Sequence, residues 1–361
     1  MSSIWGKTLK ISLFGEAHGP IVGGTLHNFP AGIPLNMDRI KLALKLRQGN
    51  ANFTHARKEE DRPKILSGIS RGITNGAPIT VIFTNKDDGV IDFNAEIPRP
   101  SCADYVAEMR YGKNVDTNGG GHMGGRLTLP LVFFGTMALD FLSRKGIEAA
   151  SHIKAIGDTL DEPFPTEIDK ALIDRLNSST LATISPEVRK KMVSLISSIK
   201  AVGDSIGGII ESAVIGLPPG IGSPVFENLE SRISSILFAI PAVKGVSFGH
   251  GFDFAHSRGS SVNDTFIQKD GKVVTQTNFN GGLNRGITNG MPVLINTVLK
   301  PTPSISQPQR TWDFEANKIV DLTVKGNHMP CLAPRANIVV TSAVAIAVMD
   351  AYIEAFGYKN S

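Results

Sequence analysis

The stretch SRGITNGAPITVIFTN (70–85) returns later in the chain as NRGITNGMPVLINTVLK (284–300). In both copies RGITNG leads through a proline into an apolar run, so a tight glycine-containing turn is expected to feed the same kind of strand twice. A six-residue identity with matching flanks marks an internal repeat. Working outward, FPAGIPLNMDRIKLALKLR (29–47) is echoed by LPPGIGSPVFENLESRISSIL (217–237). Each reads as a Pro-Gly turn opening a helix with apolar residues at 3.6 spacing. A third pair matches SLFGEAHG (12–19) to VSFGHGFD (246–253). The repeats give two related α/β halves, roughly 1–150 and 205–361, packed as one body. Between them lies a peripheral segment, roughly 151–204, whose stretch 157–186 is polar and mixed.

Strands are expected at 8–14, 79–84, 207–216 and 291–299. Helices are expected near 37–47, 103–111, 127–144, 187–202, 226–239 and 336–355. Apolar residues at 41%, 37 glycines and 21 prolines describe a turn-rich globular protein with a substantial core. The formal charge is only +4, its signs are interspersed and aromatics are 7%, so no nucleic-acid stripe is visible and a small anion is the better-fitting ligand. Two cysteines, Cys102 and Cys331, cannot build a disulfide framework. The start MSSIWGKTLK lacks a signal-peptide core, and the apolar run near 338–349 is too short to span a bilayer. A cytoplasmic protein without membrane or nucleic-acid partners is expected.

Five stretches carry candidate chemistry. GEAHG (15–19) brackets Glu16 and His18 with glycines, presenting an imidazole as acid or base, or as a satisfied structural histidine. PRPSCAD (98–104) places Cys102 before a helix and beside Arg99, either as a reactive thiol or as a buried inert one. TNGGGHMGGRLTLP (117–130) offers backbone N–H groups and Arg126 to a phosphate, or serves as a packing loop; it fits neither nucleotide-binding glycine template. KPTPS (300–304) puts Lys300 and hydroxyls on a stiff turn suited to a phosphate or a polar ring edge. KGNHMPCLAPRANIV (325–339) gathers His328, Cys331 and Arg335 before an apolar helix, as a ligand-facing loop rather than a metal site.

Taken in order, these segments resemble chorismate synthase along nearly the whole chain. The resemblance is carried by SIWGKTLKISLFGEAHG, FPAGIPL, ARKEEDRPKILSGI, RPSCADYVAEMRYG, GGGHMGGRLTLPLVF, LPPGIGSPVFENLESRI, PAVKGVSFGHGF, RGSSVND, the RGITNG turn, KPTPSI and GNHMPCLAPRA. It implies an α+β fold, a β-α-β sandwich in which two pseudo-repeated halves put helices between antiparallel sheets, assembled as a homotetramer. It also implies a 1,4-elimination of phosphate from 5-enolpyruvylshikimate 3-phosphate to chorismate. That reaction has no net redox change but requires reduced FMN, with NADPH or an external flavin reductase as the source of reduction.

Carried over by position, His18 corresponds to the histidine that serves flavin protonation. Arg47, Arg99, Arg126 and Arg335 are substrate-side arginines. The flavin-side positions are His122, Met123, Gly124, Asn263, Gly286, Lys300, Pro301, Thr302, Pro303, Ser304 and Asn327. Several positions depart from the family pattern. Its GESHG serine is Ala17, the histidine of RPGHAD is Cys102, and the arginine and aspartate of GRHDPC are Asn327 and Met329. An expected arginine is Asn52, the Arg-Ser-Ser or His-Phe-Ser of the glycine loop is His122-Met123-Gly124, and a late glycine is Arg285. Two proton-handling positions, Cys102 and Met329, are therefore altered, and impaired relays are expected. The alternatives are a diverged FMN-dependent lyase on another cyclic substrate and a non-catalytic flavin-binding homologue.

Overall fold

The computed structural model describes residues 3–49, 60–86, 96–326 and 328–358. In its first half the order is β1 (Ile4–Trp5), β2 (Lys10–Gly15), β3 (Ile21–His27), α1 (Met37–Gln48), β4 (Lys64–Ile65), a hairpin of β5 (Ile69–Ser70) and β6 (Ile73–Thr74), β7 (Ile79–Thr84), α2 (Asp104–Tyr111) and α3 (Thr128–Ser143). Then follow β8 (Glu148–Ile156), β9 (Thr159–Leu160), α4 (Lys170–Ser178), α5 (Pro186–Ala201), β10 (Gly208–Ile215), α6 (Leu229–Phe238), β11 (Val243–Phe248) and α7 (Gly259–Val262). The chain closes with hairpins β12 (Phe266–Lys269) with β13 (Lys272–Thr275) and β14 (Leu283–Asn284) with β15 (Ile287–Thr288), then β16 (Val293–Leu299), a hairpin of β17 (Gln309–Asp313) and β18 (Lys318–Leu322), and α8 (Ala333–Phe356).

The repeated sequences fold alike, bond for bond. The Thr74 hydroxyl donates to the Pro30 carbonyl at 2.7 Å and accepts from Ile33 N at 2.9 Å; Thr288 does the same with Pro218 and Ile221 at the same distances. Arg71 and Gly72 sit at φ 52° and 78°, Arg285 and Gly286 at 50° and 82°. Two consecutive positive φ values are what a tight hairpin turn demands, and they explain the RG dipeptide in both copies. Asn36 and Asn228 then cap α1 and α6 by accepting from Arg39 N and Ser231 N.

These local copies extend to topology. The first antiparallel sheet runs β1-β2-β3-β7-β4 and the second β9-β8-β10-β16-β11, so each strand has a counterpart by place. This corrects two expectations. The counterpart of residues 12–19 is β8, not 246–253, because β11 takes the place of β4. Residues 148–156, partly assigned above to a peripheral segment, form an internal strand of the second sheet. The excursion after β9 lies outside the repeat. Its Phe164, Ile173, Leu176 and Ala182 pack on Ala150 and Ala213, covering a face of that sheet.

The core lies between the two sheets, where α3 packs on β3 and β7, α8 on β8 and β10, and the two helices on each other. Helix α8 has the length and composition of a membrane span, although the apolar run read from the sequence was shorter. Its apolar window is 94% buried in protein, which accounts for that composition. The helices touch at Gly135, where a Cβ would stand 2.2 Å from Ser342 Cβ.

Beneath the excursion, His152 is fully buried and contacts Asp161 through Nδ1 at 3.1 Å and Glu211 through Nε2 at 3.0 Å. Lys154 donates to Glu211 at 2.7 Å, and Asp161 also accepts the N–H groups of Ile184 and Ser185 at the start of α5. Burial opposes a charged His152, but the two carboxylates outweigh it and raise its pKa. Burial likewise pushes Glu211 up, but His152 and Lys154 pull it down to about 2.

Two outcomes are expected. Gly135→Ala should destabilise the fold by about 1–3 kcal/mol, although alanine is the better helix former by about 1 kcal/mol, because the core is overpacked; an unchanged urea midpoint would contradict the packing. Glu211, depressed below 4.5, contributes stability present above that pH and lost as pH falls through the folded value near 2. His152, raised above 6.5, contributes stability present below that pH and lost as pH rises through its folded value. Urea midpoints should therefore fall at both ends, and Glu211→Gln should flatten the acid limb.

Candidate functional site

Three helix termini meet at one end of the sandwich. Arg47 lies in the last turn of α1, Arg126 just before α3, and Arg335 in the first turn of α8. Arg47 Nε donates to Thr128 Oγ1 at 2.8 Å and Nη2 to the Gly125 carbonyl at 2.9 Å, while Arg335 Nε donates to the Arg47 carbonyl at 2.9 Å. Asp61 accepts from Arg126 Nη1 at 3.0 Å and lies 3.5 Å from Arg47 Nη1. All three side chains of this ion cluster are no more than 5% exposed. The N-termini of two long helices and two arginines sharing one carboxylate make this region favourable to an anion.

The GEAHG turn abuts the cluster. Asn85, just after β7, donates to the Glu16 carbonyl at 3.0 Å and the Gly19 carbonyl at 2.6 Å, and accepts from Arg126 Nε. The glycine loop runs through tight turns over 118–124, with Gly119, Gly120 and Gly121 at φ 57°, 91° and 51°, outside helical geometry, and into a 3-10 turn over Gly125–Leu127. Two of these glycines serve packing: a Cβ on Gly119 would meet the His18 ring at 2.5 Å, and one on Gly121 the Asp116 carbonyl at 1.8 Å. Gly120 opens onto free space. Ala17 is buried and would be 3.1 Å from a Cβ at Gly124, while its N–H donates to the Gly121 carbonyl. His122, placed above on the flavin side, has both ring nitrogens engaged, with Ser3 Oγ at 2.7 Å and the Gly15 carbonyl at 2.8 Å. Met123 and Gly124 follow it directly in the same loop.

A second cluster joins PRPSCAD to KPTPS. Arg99 makes a two-point contact with Asp104 at 2.8 and 2.7 Å and reaches Ser304 Oγ at 3.4 Å. Lys300 Nζ donates to the Ser101 carbonyl at 2.7 Å. Thr302 Oγ1 donates to the Met329 carbonyl at 2.7 Å, and the Pro303 carbonyl accepts from Gln309. Pro301 packs near Gly207, where a Cβ would come within 3.3 Å of its ring. Burial raises the Cys102 pKa, with Arg99 pulling the other way, so the group is a thiol at neutral pH rather than a nucleophile. Cys331 is buried, pushed up to about 11, and inert. The segment from Met329 to Arg335 links this cluster to the arginines at the helix ends.

Two expected site residues stand elsewhere in the chain. Asn263 is exposed at the end of α7. Gly286 lies in the β14–β15 turn, where a Cβ would be 2.1 Å from Asn228 Cβ, at the opposite end of β16 from Lys300. Its glycine is required by hairpin geometry. Asn327 and Asn52 lie outside the described residues. Four residues were missed: Asp61, Asn85, Asp104 and Ala242, whose φ of 77° brings its carbonyl to Lys300 N at 2.9 Å. All four lie inside stretches already quoted: Asp61 in ARKEEDRP, Asn85 at the end of SRGITNGAPITVIFTN, Asp104 in PRPSCAD and Ala242 in PAVKGVSFGHGF.

Asp61→Asn should leave two guanidiniums buried together and cost about 3 kcal/mol or more. An unfolding midpoint equal to that of the unchanged protein would show that Asp61 does not hold the pair.

Comparison with known proteins agrees over nearly the whole chain. The family profile described as chorismate synthase matches residues 9–353. The chorismate synthase of Thermococcus kodakarensis is 42% identical over 347 residues, covering 96% of each chain. That of Methanobrevibacter smithii is 41% identical over 361 residues, covering 99% of this chain and 98% of the relative. A solved structure titled "Crystal Structure of Chorismate Synthase" superposes with a TM-score of 0.76 at 27% identity, covering 98% of this chain and 94% of that one. By sequence and by fold, the chain belongs to the chorismate synthase family.

Proposed function

We propose that this protein forms chorismate by eliminating phosphate from 5-enolpyruvylshikimate 3-phosphate with reduced FMN. The observation that carries the reading is the joining of the buried Arg47–Asp61–Arg126 cluster to the His18 turn through Asn85. An anion held by these arginines stands beside a group able to move a proton.

The residues present suit a flavin. Lys300, Thr302 and Ser304 supply a cation and hydroxyls on a proline-stiffened turn, and Gly120 offers backbone that a ligand can approach without meeting a Cβ. The chemistry supplied by bound reduced FMN is transient electron density during C–O cleavage, returned without net redox change. Arg99, held rigid by Asp104, and Arg335 bind and orient the substrate's anionic groups. His18 holds or moves a proton at its imidazole. Cys102, as a thiol, donates weakly to the departing phosphate, and Met329 accepts no proton. The relays are therefore weaker than those of a site carrying histidine and aspartate there. The active protein is read as a cytoplasmic homotetramer of one domain per chain, its flavin reduced by NADPH or by a separate reductase.

Purified protein supplied anaerobically with reduced FMN and 5-enolpyruvylshikimate 3-phosphate should release chorismate. Binding of flavin without turnover would overturn the reaction assignment, and no flavin binding would overturn the flavin role. Cys102→His, Met329→Asp and Asn327→Arg together should raise kcat by about tenfold or more. No gain in a folded, flavin-loaded triple variant would contradict the roles given to those positions.

A further inference from the structure

We infer that Asn85 is a positioning residue that couples the proton-moving turn to the substrate-binding arginine; this rests on the function proposed above. Its side-chain amide is shared between two parts of the site. The NH2 group donates to the Glu16 and Gly19 carbonyls, which flank His18, and the oxygen accepts from Arg126 Nε. The chemistry fixes this orientation, because arginine only donates and carbonyls only accept. The Asn85 backbone N–H adds a bond to the Pro20 carbonyl at 3.0 Å, closing the turn from its far side.

No charged or hydroxyl side chain of similar size provides two donors and an acceptor at these places. Aspartate keeps the acceptor for Arg126 but turns a second oxygen toward two carbonyls. Alanine removes both functions. Arg126 is held on its other side by Asp61 at 3.0 Å, so Asn85 fixes the rotation of the guanidinium that Asp61 anchors. The same residue thereby sets the spacing between the anion and His18.

In the full-length protein, Asn85→Asp should loosen the turn: amide hydrogen exchange across residues 15–20 should speed up about tenfold or more. The new carboxylate also neutralises part of the Arg126 charge, so calorimetric affinity for inorganic phosphate should fall and KM rise, while kcat should fall about tenfold through the loosened turn. Asn85→Ala should also weaken phosphate binding and raise KM. Asn85→Gln, which keeps the amide, should recover part of kcat. Unchanged exchange in the turn in Asn85→Asp, or unchanged phosphate affinity in both variants, would overturn the inference. If the unaltered protein makes no chorismate, the functional reading fails, while the exchange and phosphate measurements still decide the role of Asn85. Should the alanine variant not fold, the aspartate variant, equal in size, carries the test.

Discussion

The approach of α3 and α8 at Gly135 and Ser342 is the constraint on which the rest of the molecule hangs. Only a residue without a Cβ lets these helices lie so close, and that closeness lets two sheets share one core. Both helices begin at the same end of the sandwich, Arg126 just before one and Arg335 in the first turn of the other. Arg47, at the end of α1, bonds to the first turn of α3 and receives a bond from Arg335. Helix packing thus assembles an anion-favouring region before any ligand arrives.

The repeat explains why two helices are available to do this. Helices α3 and α8 follow the counterpart strands β7 and β16 and enter the core from corresponding places. The halves have diverged where chemistry is needed. Asn85 after β7 braces the GEAHG turn, whereas Lys300 after β16 reaches across to Ser101. The same strand end therefore serves the arginine cluster in one half and the KPTPS turn in the other.

Cys102 stands at the edge of this arrangement. Arg99, which would favour a thiolate, is engaged by Asp104, and burial dominates the thiol's titration. Its neighbours therefore keep it neutral, and its meaning lies in the imidazole it replaces. With Met329 on the loop facing Thr302, the two altered proton-handling positions, Cys102 and Met329, lie at the second cluster.

Much of the fold was legible because its signals are local. RGITNG demands a turn with positive φ, and the 3.6-residue spacing marks α1 and α6. What escaped was long-range. The pairing of β8 with β10 is carried by no short motif, so an internal strand was assigned to the periphery. The contacts of the His122 ring with Ser3 and the Gly15 carbonyl likewise join residues that no short motif connects. Asp61 sits in a polar stretch with no periodicity and Asn85 at the end of the β7 strand signal, and their roles arise only when α1, α3 and the end of β7 converge. The sequence by itself determined the repeat, the helices and the residue types from which a site is made. Tertiary structure decided which carboxylate neutralises which arginine, because burial makes an unpaired charge costly and the fold alone brings its partner near.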